Sequence, residues 1–408
     1  MKFLRLMAAL ALLVISCRLL SPVTPAETLT PESQASGNPI QATETSPVEV
    51  PGTIPDQRPP AQFRLVAYYP YWSLSTRHYR VEDIPAAALT HLNYAFAALS
   101  DSGECVSTSA SADAANLPAL QALKQRYPQL KTMISVGGGG VGAAFSQAAA
   151  TDESRARLVQ SCVAFMQAHG FDGVDLDWEY PQAGETQLFT ALLSSLRQGL
   201  DAQGQADGRR YLLTIAAPAG PWQMARIDFA QVTPLLDWFN LMTYDFYGAW
   251  SSATGFNAPL YPSLADPAHL SVDTTVQAYL AAGVSADKLV LGLPFFGHGW
   301  QGVAGANNGL YQPFSAPAQG TGKGTFDFYA LQDSRFSTFT RYWDEEAKVP
   351  WLFDPAQGIM ISYDDVESLG LKSAYIRQNK LGGAMIWQIA ADDASNSLLN
   401  AVLAGLQP

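Results

Sequence analysis

The amino-acid sequence predicts an α/β protein folded as a (β/α)8 TIM barrel with a small α+β insertion subdomain. From Arg64 onward, eight short, β-rich apolar runs alternate with longer stretches of helical periodicity, the pattern of βα units around a parallel sheet. The competing parallel architecture, a doubly wound open sheet, commonly carries a G-x-G-x-x-G or G-x-x-x-x-G-K-[ST] after its first strand, and neither occurs here. The third observation is spacing. Start-to-start intervals between runs lie between 27 and 50 residues, except the last, which is 94 and leaves room for an inserted subdomain.

The N-terminus reads as an export signal over residues 1–17. Lys2 and Arg5 precede an apolar run from Leu6 to Ile15 that is too short to span a bilayer. The run ends in Val14-Ile15-Ser16-Cys17, which resembles a bacterial lipobox with Cys17 as the lipidated residue; ordinary cleavage near Ala26 is the alternative. Residues 18–62 are dominated by Ser, Thr, Pro, Glu and Gln with almost no aromatic side chain. Such a segment cannot bury enough apolar area to offset its chain entropy, and it is expected to be a disordered linker.

The predicted barrel occupies residues 63–408. Its strands begin near Arg64 (RLVAYY), His91 (HLNYAFAAL), Leu130 (LKTMISVGG), Phe171 (FDGVDLDWEY), Tyr211 (YLLTIAAPA), Trp238 (WFNLMTYDFYG), Lys288 (KLVLGLPFFG) and Gly382 (GGAMIWQIA). Between them lie amphipathic segments such as 152–169, where Leu158, Val159, Cys162, Phe165 and Met166 share one helical face and Gly170 supplies the stop. The segment 301–352 alternates like short antiparallel strands and is the expected insertion.

Composition narrows the function. With 24 Lys+Arg against 36 Asp+Glu, the chain carries a net charge of −12, which argues against a nucleic-acid partner. Three cysteines are too few for a disulfide scaffold, and the five histidines form no zinc-site pattern, so neither metal nor cofactor is expected. Membrane contact is expected only through an N-terminal lipid, and the protein is expected to act as a monomer.

Chemistry is concentrated in the fourth run. Asp175, Asp177 and Glu179 sit two apart, with Val174, Leu176 and Trp178 between them. Alternate residues of a strand share a face, so the three acids point one way, and the apolar set suits the layer beneath the helices. The acids therefore face the barrel interior at the C-terminal mouth, where barrel active sites lie. A calcium loop would need a turn glycine at its sixth position, which is absent, and a solvated charge run would not interleave Val, Leu and Trp. Crowded carboxyls repel, so at least one should keep its proton well above its ordinary pKa. A protonated acid beside an ionised one is the chemistry of glycoside cleavage.

The run Asp172-Gly-Val-Asp175-Leu-Asp177-Trp-Glu179 resembles the D-x-x-D-x-D-x-E signature of glycoside hydrolase family 18, the chitinases and their relatives. Tyr68-Tyr69-Pro70-Tyr71-Trp72, Tyr94-Ala95-Phe96, Ser135-Val-Gly137-Gly138, Met242-Thr-Tyr244-Asp245 and Met385-Ile-Trp387 add to the resemblance, which runs to the C-terminus. It implies cleavage of β-1,4-linked N-acetylglucosamine with retention, the substrate's own 2-acetamido oxygen attacking the anomeric carbon. By the same resemblance, Glu179 is general acid and then base, Asp177 orients the acetamido group, Asp175 supports Asp177, and Tyr244 binds the acetamido carbonyl. Trp387 would floor the pocket, Tyr68 and Phe96 wall it, and Met242 and Asp245 shape it. Independently of the resemblance, Trp72 and Trp300 lie at or just beyond the C-terminal ends of predicted strands, where loops build the cleft and sugar rings can stack, and Gly138 and His298 are further expected substrate contacts. The chain departs from the family pattern in two places: Gly139-Gly140 stands where an aromatic commonly follows S-x-G-G, and Phe296-Gly297-His298 replaces a common Tyr-Gly-Arg. Chitin or chito-oligosaccharide is the leading substrate, at the cell surface or in the medium. A peptidoglycan-directed N-acetylglucosaminidase is the second reading, and a non-catalytic chitin-binding lectin the third.

Overall fold

The computed structural model describes residues 59–408; the signal, Cys17 and most of the linker lie outside the described residues. Eight parallel strands form the barrel: β1 (Arg64–Pro70), β2 (His91–Leu99), β3 (Lys131–Gly138), β4 (Gly173–Trp178), β5 (Leu212–Ala217), β6 (Trp238–Leu241), β7 (Leu289–Pro294) and β8 (Gly383–Trp387). Each pairs with its sequence neighbour, and β1 pairs with both β2 and β8, which closes the ring. All eight fall on the apolar runs read from the sequence. One strand was not foreseen: Cys105–Ser107 adds antiparallel to the outer end of β2.

Alternation along the strands separates two apolar layers. Val174, Leu176 and Trp178 join the layer between sheet and helices, where Trp178 stacks on Phe145 at 5.4 Å and meets Phe189 edge-on at 5.8 Å. The barrel interior is filled by a smaller set that includes Val66, Tyr68, Met133, Trp238, Val290 and Met385. In the helix Asp152–Ala168, Leu158, Val159, Cys162 and Met166 are buried as its periodicity predicts, with Phe165 half-buried. Among the described residues no helix is long and apolar enough to cross a membrane.

A second sheet lies between β7 and β8. Its strands include Phe296–Gln301, Thr340–Asp344, Val349–Asp354 and Ile359–Ser362, paired antiparallel. It extends beyond the expected 301–352 at both ends, because the chain leaving β7 turns directly into a strand instead of a loop. The expected α+β character is also corrected: apart from strands, this segment holds only short 3-10 turns. Its own core packs Trp300, Val349, Trp351, Phe353 and Met360.

Candidate active site

The strand register builds the site. Asp175 on β4 lies opposite Ser135 of β3 and Thr214 of β5. Neighbours in register share a face, so both hydroxyls point inward with the carboxylate. Its Oδ2 accepts from the Tyr68 hydroxyl and from Ser135 Oγ, each at 2.7 Å, while Oδ1 accepts from Thr214 Oγ1 at 2.6 Å and Asn240 Nδ2 at 3.1 Å. Burial pushes this carboxyl up, and the four donors pull it back. Asp175 thus lies fully buried with protein donors in place of water, and it does not line the pocket. Ser135, Thr214 and Asn240 were not foreseen as site residues. For two of them the signal was present: Thr214 and Asn240 are each the lone polar residue of an otherwise apolar strand, whereas Ser135 shares its strand with Lys131 and Thr132.

Two residues further along, Asp177 is nearly inaccessible and its Oδ1 has no hydrogen-bond partner among the described residues. Burial raises its carboxyl well above the usual range, and the charges of Glu179 and Asp175 raise it further. Glu179, just beyond the strand end, is raised by burial and by Asp245, with a hydrogen bond to Tyr180 acting the other way. The crowding expected within the trio is therefore expressed on Asp177, while Glu179 feels burial and Asp245, and the four donors offset part of the burial cost at Asp175.

These two acids line a pocket with Tyr68, Trp72, Phe96, Gly139, Ala216, Met242, Tyr244, Asp245, Met385 and Trp387. Trp387 forms one wall within an aromatic cage, its ring centre 5.5 Å from Tyr68, 5.8 Å from Phe96 and 6.4 Å from Trp72. The Ala95–Phe96, Glu179–Tyr180 and Trp387–Gln388 peptide bonds are cis. Tyr244 is buried beside both acids, its hydroxyl 4.0 Å from Met385 Sδ. Ala216 and Met385 complete the lining without having been expected there.

Three expected substrate contacts sit elsewhere. Gly138, at φ +97°, lies behind Phe96: a Cβ there would come within 2.9 Å of the Phe96 ring, so the glycine makes room for the wall and does not form it. Trp300 is fully buried, with its indole N–H donating to the Gly248 carbonyl at 3.1 Å. The sequence reading treated it as a loop residue at a strand end. In fact Phe296, His298 and Trp300 form a row on one face of the insert strand, and the row carries Trp300 away from the barrel mouth into the insert core. His298 lines an adjoining cleft with Asp245, Trp250, Phe296, Thr325, Asp327, Trp387 and Gln388, and does not line the pocket that holds the acids. Among the described residues no cluster of His, Cys, Asp or Glu is arranged to hold a metal ion.

Crowded carboxyls and an aromatic cage at the C-terminal mouth of a closed parallel barrel are the arrangement of a glycosidase. Residues 64–392 match the model of glycosyl hydrolases family 18, and the chain belongs to that family. It is 39% identical over 395 residues to chitinase A1 of Niallia circulans, an alignment covering 81% of this chain and 56% of the relative. It is 34% identical over 379 residues to chitinase B of Serratia marcescens, covering 78% and 76%. The chain thus spans little more than half the length of the first relative. Among solved structures, chitinase ChiA74 from Bacillus thuringiensis superposes with a TM-score of 0.79 at 34% identity, covering 85% of this chain and 70% of that one. A family 18 N-acetylglucosaminidase from Paenibacillus barengoltzii superposes at 0.74 with 34% identity, covering 84% and 99%.

Proposed function

We propose that the protein is a retaining hydrolase of β-1,4-linked N-acetylglucosamine in chitin or chito-oligosaccharides, working by substrate assistance. The observation that carries this reading is the buried, unpartnered Oδ1 of Asp177 beside Glu179 and Tyr244 in one pocket. A buried carboxylate oxygen without a protein partner can take a donor from the substrate, and an acetamido N–H is such a donor. Asp245, the other acid on the pocket wall, has its Oδ1 tied to His298 at 2.7 Å, which disfavours it as a nucleophile.

In this mechanism Glu179 gives its proton to the leaving glycosidic oxygen. The acetamido oxygen closes on the anomeric carbon, and Asp177 receives the N–H and balances the oxazolinium charge. Glu179 then takes a proton from the water that reopens the ring. Asp175 acts through Asp177, setting its electrostatic surroundings from below. Similarity to chitinases supports chitin over peptidoglycan, and the presence of Glu179 in the pocket supports an enzyme over a lectin. The short apolar leader ending at Cys17 and the linker after it support export, with a lipid tether at the bacterial surface.

Incubating the protein with chitohexaose and, separately, with purified peptidoglycan tests this reading. Mass analysis is expected to show short N-acetylglucosamine oligomers from the first and little release from the second, and early-time NMR should show the β-anomer at the new reducing end. An α-anomer would reject substrate assistance.

The leaving side of the pocket is open. Gly139 has no positive φ, and a Cβ on it would stand 3.6 Å from Glu179 Oε1, an ordinary contact. The backbone therefore tolerates a side chain here, and Gly139→Trp is expected to lower KM for chitohexaose by about 2- to 10-fold, the yield of one stacked ring at roughly 0.5–1.5 kcal/mol. An unchanged KM would place the leaving sugar elsewhere.

A further inference from the structure

His298 has both ring nitrogens engaged by acceptors. Its Nε2 lies 2.7 Å from Asp245 Oδ1, and its Nδ1 lies 3.1 Å from the Gly324 carbonyl oxygen. A carbonyl oxygen only accepts, so Nδ1 must carry a proton. An ionised carboxylate also only accepts, so a second proton must lie between Nε2 and Oδ1, and a neutral imidazole has one proton to give. We propose that His298 is an imidazolium paired with the Asp245 carboxylate, and that this pair is a positioning device that holds Asp245 and sets the charge felt by Glu179. The second half of the proposal rests on the reading of Glu179 as proton donor.

The surroundings enforce the geometry. The His298 side chain is only 7% exposed, and the rings of Trp250 and Phe296 stand edge-on to it at 5.3 and 5.5 Å, which fixes the ring between its two acceptors. Asn257 ties the two partners together: its Oδ1 accepts from the Asp245 backbone N–H at 3.0 Å, and its Nδ2 donates to the Phe296 carbonyl on the strand that bears His298. Two acids line the cleft that holds the ring. Asp245 comes from the loop after β6, and Asp327 from the neighbouring strand Thr325–Asp327 lines the same cleft with Arg77 as its cation. Glu179, from the end of β4, is reached through Asp245.

The consequence concerns Glu179. The imidazolium balances the Asp245 charge and mutes its upward push on the Glu179 carboxyl. Without that cation a bare carboxylate faces Glu179, which then holds its proton to higher pH.

The test has two arms. NMR of the 15N-histidine-labelled protein near pH 6.5, without substrate, is expected to show two ring protons on His298, assigned by the loss of their signals in His298→Gln. A single proton with one bare nitrogen would overturn the imidazolium assignment. In the second arm, pH profiles of kcat/KM on a chito-oligosaccharide are compared. His298→Gln is expected to move the alkaline limb upward by roughly half a pH unit or more, while His298→Arg leaves it at or below that of the parent protein. Coincident limbs in all three would overturn the charge-setting role. Full activity in Glu179→Gln would sink the reading of the site, whereas the ring spectrum decides the proton count independently of it.

Discussion

Glu179→Gln is expected to lower kcat on chitohexaose by about 10³- to 10⁴-fold, a barrier increase of roughly 4–5.5 kcal/mol, with oligosaccharide binding retained. The amide matches the carboxyl in shape and still hydrogen-bonds, but it has no proton to transfer. Burial and the Asp245 charge raise the Glu179 carboxyl, so the acid form persists to higher pH than in a free glutamate. Activity should fall as pH rises through that raised value, because the protonated form is the donor. The checks are steady-state kinetics for turnover and tryptophan quenching for binding, the latter read through the cage that includes Trp72 and Trp387. Unchanged turnover would mean that another group protonates the leaving oxygen.

Asp177→Asn is expected to cost about 10²- to 10³-fold in kcat with a small change in KM, since the lost negative charge is needed only when positive charge develops on the substrate. Its effect on stability should have the opposite sign. In the folded protein the Asp177 carboxyl is held well above its ordinary value by burial and by Glu179 and Asp175. A raised acid binds a proton in the folded state that the unfolded chain has already released, so the stability of the parent protein falls as pH climbs from the unfolded value toward the folded one. Asparagine removes that slope. The variant should therefore gain Tm relative to the parent when both are moved from pH 5 to pH 8, and lose activity at both. A variant that kept its turnover would remove Asp177 from the mechanism. One with a Tm difference independent of pH would show that its carboxyl is not raised.

Legibility followed the range of the interaction involved. The eight barrel strands stand out because strands covered on both faces are near-continuous apolar runs. Asp175, Asp177 and Glu179 could be aimed from the chain alone, since alternation is a property of one strand, and the apolar Val174, Leu176 and Trp178 settle which face turns to the helices. The donors to Asp175 could not be assembled in the same way. Tyr68, Ser135, Thr214 and Asn240 come from four other strands, and they meet on one carboxylate only because barrel closure sets the register between strands. Trp300 misled for a related reason. Its position just past β7 suggested a cleft loop, but hydrogen bonding to Ile359–Ser362, about sixty residues downstream, makes that segment a strand and turns the indole into the insert core.

Sequence alone determined the alternation that aims the acids, the count of barrel strands and the family to which the chain belongs, because each is written in contiguous residues. Tertiary structure decided which carboxyl is relieved and which is left crowded. It also placed Gly138 behind a wall, and brought His298 and Gly324 from the insert to Asp245 on the barrel. Those outcomes depend on desolvation and on donors arriving from distant strands, and both exist only once the ring has closed.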